Sequence, residues 1–191
     1  MNRWKIGFFL LAGLVAAALS AIIFFISSTP DSIPLPNMEV VDASNNVLTV
    51  SATKENLESI ANTYVRKMTK GGPLPLTIKV DGDVALFSEL TVFSFTYPVI
   101  MHFDPVVRED GNLILKQSSM EIGLLNIQPS TVLKILKDSV KFPPWLIVRP
   151  KEEEFFIDLS EISVSGNLKV RAKTFNLADD EIILEIIIPK E

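Results

Sequence analysis

The longest hydrophobic pattern in the chain is an uncharged run close to its N-terminus. Residues 6–26 contain no charged side chain. A helix of this length, at about 1.5 Å per residue, spans the roughly 30 Å hydrocarbon core of a bilayer. Arg3 and Lys5 precede the run, and the next basic residue is Lys54. The pattern predicts a transmembrane signal anchor at residues 6–26, with residues 1–5 as a cytoplasmic tail and the rest of the chain outside the cell.

A cleaved signal peptide would show a similar pattern. The tripeptides Ala16-Ala17-Ala18 and Leu19-Ser20-Ala21 end in small residues and provide possible cleavage sites. Cleavage there would leave the strongly apolar residues 22–26 as an exposed N-terminus. We therefore favour an uncleaved anchor.

The composition changes directly after the apolar run. Residues 27–37 hold Pro30, Pro34 and Pro36 among serines. Proline-rich segments of this kind are semi-stiff spacers. We predict a short Pro/Ser-rich stalk at residues 27–37, followed by an extracytoplasmic domain at residues 38–191.

Two segments of this domain have the periodicity of amphipathic helices. The first begins after Thr53, a typical N-cap residue, and its apolar side chains recur every three or four positions. These apolar positions are Leu57, Ile60, Ala61, Tyr64, Val65 and Met68. The second segment begins at Pro129, a residue favoured in the first helical turn, and runs to about Val140. Each helix is apolar on one side only, so we expect both to pack against a sheet.

The other apolar segments predict strands separated by turns. The expected strands are residues 38–41, 47–51, 76–80, 84–95, 97–108, 113–125, 146–148 or 155–159, 168–175 and 181–188. Short connections such as residues 81–83 and 109–112 are typical of hairpins, which require antiparallel pairing. The predicted fold class is α+β: an N-terminal transmembrane helix, then one curved antiparallel meander sheet with two amphipathic helices packed against it.

The central strands are apolar on both faces, whereas a sheet with one face in water alternates apolar and polar side chains. Val99 and Met101, for example, lie on one face, and Ile100 lies on the other. Two short helices can cover only one face. Three arrangements account for the pattern: a sheet that closes on itself as core, an apolar groove for an acyl chain, or a surface for a protein partner.

The groove hypothesis assigns specific ligand-binding residues. It places the groove on the sheet face away from at least one helix and lines it with Phe93, Phe95, Val99 and Met101. Trp145 follows two prolines at the junction between the second helix and the next strand. An aromatic residue in this position packs against its neighbours or serves as a gate or membrane-facing contact near the groove mouth.

Composition and charge narrow the classes of function. The chain has 18 basic and 23 acidic residues, a net charge of −5, one histidine and no cysteine. An acidic chain lacks the basic face that nucleic acids require. Without cysteine there are no disulfides and no thiolate metal sites, and one histidine excludes a His-rich zinc site. We expect no nucleic-acid partner, no metal and no cofactor.

Candidate catalytic chemistry is sparse. Asp104 lies two residues after His102, on the same predicted strand face, but no serine stands in a G-x-S-x-G motif. A catalytic triad is therefore not predicted. Three glutamates are consecutive at residues 152–154. Consecutive strand side chains point to opposite faces and do not converge on calcium, so a solvated turn is expected there. We predict no catalytic residue and no enzymatic activity.

Several local motifs resemble a known family. They are the opening Asn2-Arg3-Trp4-Lys5-Ile6, the pair Asp104-Pro105 with Asp110-Gly111-Asn112, and the stretch from Ile122-Gly123 through Leu133-Lys134 to Pro144-Trp145. Through them the chain resembles the YpmS-like family of uncharacterised membrane-anchored proteins of Gram-positive bacteria. The resemblance implies a location at the cell membrane but no assigned activity. The expected architecture is also similar to that of tubular lipid-binding domains.

These observations lead to one leading expectation about function and one alternative. We expect a non-enzymatic, single-pass membrane protein that binds an apolar or lipid-like ligand at the outer face of the membrane, in cell-envelope metabolism. The alternative is a protein-interaction module that docks on an envelope enzyme or assembly factor.

Overall fold

The computed structural model describes residues 3–27, 32–36, 46–70, 72, 74–92, 95–123, 127–162 and 168–188. The chain divides into two compact units, Met1–Asp31 and Ser32–Glu191. The first unit contains helix α1 (Arg3–Ser27) of 25 residues. In the part of the chain described above, no helix is both long enough and apolar enough to cross a membrane.

The second unit contains the two predicted amphipathic helices, α2 (Lys54–Met68) and α3 (Pro129–Ser139). The N-cap prediction is confirmed, because the Asn56 backbone N–H donates to Thr53 Oγ1 over 3.3 Å. Pro129 lies in the first turn of α3, where its missing N–H costs no hydrogen bond.

The described strands form two antiparallel sheets. The smaller sheet contains β1 (Asn46–Ala52), β8 (Lys169–Asn176) and β9 (Glu181–Ile188), in the order β1-β9-β8. The larger sheet has the order β2-β3-β4-β5-β7-β6. Its strands are β2 (Leu76–Val80), β3 (Val84–Val92), β4 (Phe95–Val107), β5 (Leu113–Glu121), β6 (Leu146–Arg149) and β7 (Glu154–Ile157).

The antiparallel α+β class is confirmed, but the expectation of one sheet is wrong. After β7 the chain enters a short 3-10 helix (Leu159–Glu161), whose N-terminus is capped by Asp158. The last two strands then pair with each other and with β1 instead of extending the larger sheet. Pairing between β1 and β9 joins segments that are far apart in sequence, and local hydrophobic patterns carry no information about such pairs.

Several strand boundaries also differ from the sequence prediction. Phe95 begins β4 instead of ending β3. The two alternatives at residues 146–148 and 155–159 are both strands, and they pair as β6 and β7. The hairpin partner expected for β1, residues 38–41, lies outside the described residues. Its described partner is β9.

The main core lies between the larger sheet and the two helices. Val65 of α2 and Leu133 of α3 are buried against strand residues such as Met101 and Phe103. A second cluster, built around Leu113, Leu159 and Ala172, joins the larger sheet to the smaller one. The side of the larger sheet that faces the helices is therefore core, while its strands also contact the second sheet.

Candidate functional site

An apolar cavity of about 220 Å³ lies between the helices and the two sheets. Every side chain that lines it is aliphatic or aromatic. The lining residues are Leu57, Ile60, Ala61, Tyr64, Val65, Met68, Leu76, Ile78, Val80, Val84, Leu86, Phe103, Leu113, Leu115, Leu136, Phe142, Trp145, Leu146, Phe155, Ile157, Leu159, Ile162, Phe175 and Leu184. With no charged side chain among them, the cavity suits a hydrocarbon group.

Helix α2 forms one wall of the cavity, and polar contacts to strand β2 fix its position. The Asn62 side chain donates to the Ile78 carbonyl over 2.7 Å and accepts from the Ile78 N–H over 2.9 Å. One turn earlier, Glu58 Oε2 accepts from the Val80 N–H over 2.9 Å. Since β2 is an edge strand of the larger sheet, these side chains satisfy backbone groups that would otherwise lack partners. The contacts hold α2 along the sheet edge and turn its apolar stripe toward the cavity.

The most exposed lining residues mark the mouth of the cavity. Ile60 is 55% exposed and Tyr64 is 37% exposed, and both lie on α2. Trp145 is half-buried, and its ring meets that of Tyr64 edge to face with centroids 5.4 Å apart. The Lys67 ammonium lies 5.7 Å from the centroid of the Tyr64 ring. The mouth thus combines two aromatic rings and one cation.

The structure does not bring the five predicted ligand-binding residues together. Trp145 lines the cavity, as the gate hypothesis requires. Val99 and Met101 are 2% and 1% exposed and belong to the core, beside a small void of about 20 Å³. Phe95 is 68% exposed at the start of β4, and Phe93 lies outside the described residues. The cavity also lies on the helix side of the sheet, whereas the sequence placed the groove away from at least one helix.

The sequence prediction missed most of the cavity wall. The periodicity of α2 predicts a packing surface, but it does not distinguish close packing from an open space. The predicted set of ligand-binding residues does not include Phe142 or Phe155. Their rings are 6.3 Å apart, and Phe155 also meets Phe103 at 5.2 Å. Four aromatic residues lie between positions 142 and 156, namely Phe142, Trp145, Phe155 and Phe156. This concentration of aromatic residues is the sequence signal that indicates the wall.

His102 has a carboxylate partner in the structure. Its Nδ1 lies 2.7 Å from Asp83 Oδ2, in the turn between β2 and β3, and both side chains are about one-third exposed or less. Asp104 instead lies opposite Lys116 in the β4–β5 register. Ser119 lies opposite His102 in the same register, but no hydrogen bond of the described residues joins the two side chains.

The expected turn is confirmed for Glu152 and Glu153, but Glu154 begins β7 and is not solvated. Glu154 is buried and pairs with Arg149, which also contacts Glu152 at 3.2 Å. Arg149 Nε donates to the carbonyl of Ile33 over 2.8 Å, and the Ser32 hydroxyl donates to Glu152. Burial raises the pKa of Glu152, but the hydrogen bond from Ser32 and the charge of Arg149 outweigh it and hold the pKa below its ordinary value.

A second buried carboxylate lies in the smaller sheet. Glu185 on β9 accepts a hydrogen bond from Arg171 Nε over 2.6 Å, and Lys173 Nζ lies 3.3 Å away. The hydrogen bond from Arg171 is the main reason that the pKa of Glu185 is lowered, and burial opposes it. This ion cluster stabilises the pairing of β8 and β9, and it takes no part in the cavity.

The fold and the site define a class: an antiparallel α+β protein with an internal apolar cavity beneath two amphipathic helices. Residues 2–188 match the model of a family described as "Uncharacterized protein conserved in bacteria (DUF2140)". The chain belongs to this family.

The chain is also 28% identical to "Uncharacterized protein YpmS" of Bacillus subtilis (strain 168), over 196 residues that cover all of both chains. The resemblance to the YpmS-like family that the sequence motifs indicated is thus confirmed. No solved structure matches the chain.

Proposed function

We propose that the protein is anchored in the cell membrane and binds an apolar or lipid-like ligand at the outer face, without catalysing a reaction. The observation that carries the proposal is the cavity of about 220 Å³ whose walls are entirely apolar. Engineered apolar cavities of about 150 Å³ stay free of water and take up benzene. A larger cavity with a partly exposed aromatic mouth is therefore suited to part of an acyl chain.

The energetics favour this ligand class. Each buried methylene group contributes about 0.8 kcal/mol, before the costs of ordering the ligand are subtracted. A polar ligand group inside the cavity would lose its hydrogen bonds to water and find no partner in the walls. Affinity for a hydrocarbon thus needs no charged residue. This agrees with the cavity lining, which contains none.

The proposed anchor is residues 6–26, with residues 1–5 in the cytoplasm and the domain from residue 38 outside the cell. This part of the proposal is supported by the uncharged run itself and by the two basic residues that precede it. Protease treatment of intact protoplasts tests it. We expect digestion of the domain and retention of a short N-terminal fragment. A protected domain, or a mature N-terminus at residue 19 or 22, would contradict the proposed topology.

Native mass spectrometry of the full-length chain, extracted in a non-ionic detergent, tests ligand binding. We expect a copurifying apolar molecule on the wild-type chain. Replacing Ala61 by Trp fills the cavity from α2, so the adduct should disappear while the chain stays folded. Ser59→Trp is the matched control, because Ser59 lies exposed on the same helix and does not line the cavity. Equal adducts on wild type and Ala61→Trp would contradict binding in this cavity.

The non-enzymatic part of the proposal concerns His102. The Asp83–His102 pair supplies two members of a triad, but its partner across the strand, Ser119, forms no hydrogen bond to it among the described residues. Neither member of the pair lines the cavity, although their chain neighbours Val84 and Phe103 do. We expect His102→Asn to retain the ligand adduct unchanged. An accumulated, chemically different adduct on this variant would point to turnover and favour an enzyme.

One observation favours the alternative, a module that docks on an envelope protein. Among the described strands, β1 is an edge of the smaller sheet, and its Val47, Leu48 and Val50 are exposed. Exposed apolar edges can receive a strand from another protein. A photocrosslinking residue at Leu48, compared with one at the exposed Glu89 on the other sheet, tests this function in cells. A specific crosslink at Leu48 that persists in Ala61→Trp would favour docking over ligand binding.

A further inference from the structure

We infer that the ligand is a single-chain amphiphile with an anionic head group, which the Lys67 ammonium holds at the mouth of the cavity. This inference rests on the proposed function and specifies the class of its ligand.

The cavity walls place the head group outside. All lining side chains are hydrocarbon or thioether apart from those of Tyr64 and Trp145, whose rings meet each other at the mouth. An ionised group inside would be buried without a partner, which is strongly unfavourable. The hydrocarbon part of an amphiphile therefore occupies the cavity, and its charged end remains at the mouth.

The mouth offers a cation without a carboxylate partner. Lys67 is exposed 5.7 Å from the centroid of the Tyr64 ring, and no carboxylate of the described residues lies within 4.0 Å of it. By contrast, Arg149 and Arg171 are engaged by glutamates. Tyr64 and Trp145, whose rings are in contact, each also carry one side-chain hydrogen-bond donor. A set of donors with no acceptor carboxylate is complementary to an anionic head.

The volume indicates one chain. The cavity, at about 220 Å³, exceeds the roughly 150 Å³ that hold one benzene molecule but falls short of the roughly 300–1,000 Å³ typical of sites for drug-sized ligands. A two-chain phospholipid would leave its second chain in water. A free fatty acid and a monoacylglycerol phosphate share the required chemistry, namely one chain and one anionic head.

Competition between matched ligands tests the inference. The full-length chain in non-ionic detergent is incubated with equal amounts of octanoic acid and octanol, whose chains match the cavity volume, and the two adducts are compared by native mass spectrometry. A second arm uses monooctanoylglycerol phosphate against monooctanoylglycerol. We expect a preference of about tenfold for the anion in at least one arm, as one charge-assisted contact provides. The arm with the larger preference identifies the source of the head group.

Substitution of Lys67 separates head-group recognition from chain binding. Lys67→Met should abolish the preference for the anion and leave binding of the neutral partner unchanged. Lys79→Met is the control, since Lys79 is exposed on β2 and its neighbours Ile78 and Val80, not Lys79 itself, line the cavity. Equal binding of charged and neutral ligands by the wild type would overturn the inference and leave the proposed function intact. Failure of all four ligands to bind would overturn both.

Discussion

The ring of Trp145 meets the ring of Tyr64 edge to face, with centroids 5.4 Å apart and planes at 84°. Tyr64 lies on helix α2, and Trp145 lies just before strand β6. The contact therefore joins two elements that are distant in sequence, at the mouth of the apolar cavity. Both residues line the cavity, and Tyr64 is one of its most exposed lining residues.

The first prediction concerns the energy of this contact. Tyr64→Leu and Trp145→Leu each remove one ring and retain apolar bulk. We expect a double-mutant cycle to give a coupling of about 0.5–1.5 kcal/mol, the range for aromatic pairs. Urea unfolding of the four chains measures it. Free-energy changes that add within about 0.3 kcal/mol would mean that the rings do not interact.

The second prediction separates core from groove on strand β4. Val99 is 2% exposed, whereas Val106 on the same strand is 48% exposed. Val99→Asp buries an unpaired carboxylate and should destabilise the fold by several kcal/mol, about 3–5. Val106→Asp should cost about 1 kcal/mol or less. Thermal unfolding of both variants provides the comparison. Similar melting temperatures would contradict a closed core at Val99 and favour the open groove that the sequence predicts there.

The third prediction concerns the contact between the two sheets at Gly111. This glycine has φ +82°, and its carbonyl accepts from the Ala172 N–H over 2.7 Å. A Cβ at Gly111 would lie 2.5 Å from Cβ of Arg171. Gly111→Ala should therefore destabilise the protein by about 1–3 kcal/mol. Gly82→Ala is the control, since no atom lies within 4 Å of the added Cβ there. Chemical denaturation should show a clear loss of unfolding free energy for Gly111→Ala and only a small change for Gly82→Ala.

The fourth prediction concerns pH. The hydrogen bond from Arg171 lowers the folded-state pKa of Glu185, so the cluster stabilises the fold above the unfolded glutamate pKa of about 4.3. This contribution is lost as the pH falls through the lowered folded-state pKa. Glu185→Gln should be clearly less stable than wild type at pH 7, and the difference should shrink in acid. The exposed Glu181→Gln on the same strand should show no such trend. A difference that is constant with pH would contradict a charged Glu185.

Local features of this fold could be predicted from sequence because neighbours in the chain determine them. Thr53 and Pro129 mark helix starts through contacts within one turn. The hairpins around residues 81–83 and 109–112 follow from turn residues between apolar segments. The same patterns correctly indicated an antiparallel α+β domain with both amphipathic helices packed on a sheet.

Contacts between segments that are distant in sequence are visible only in the tertiary structure. The pairing of β1 with β9 divides the strands between two sheets, and Asp83, not Asp104, becomes the partner of His102. Val99 and Met101 share a strand face with Phe103, yet only Phe103 lines the large cavity. Hydrophobic periodicity reports which side of an element avoids water. It does not report how far apart two apolar surfaces are held, and Asn62 and Glu58 fix that distance here by holding α2 at the edge of β2.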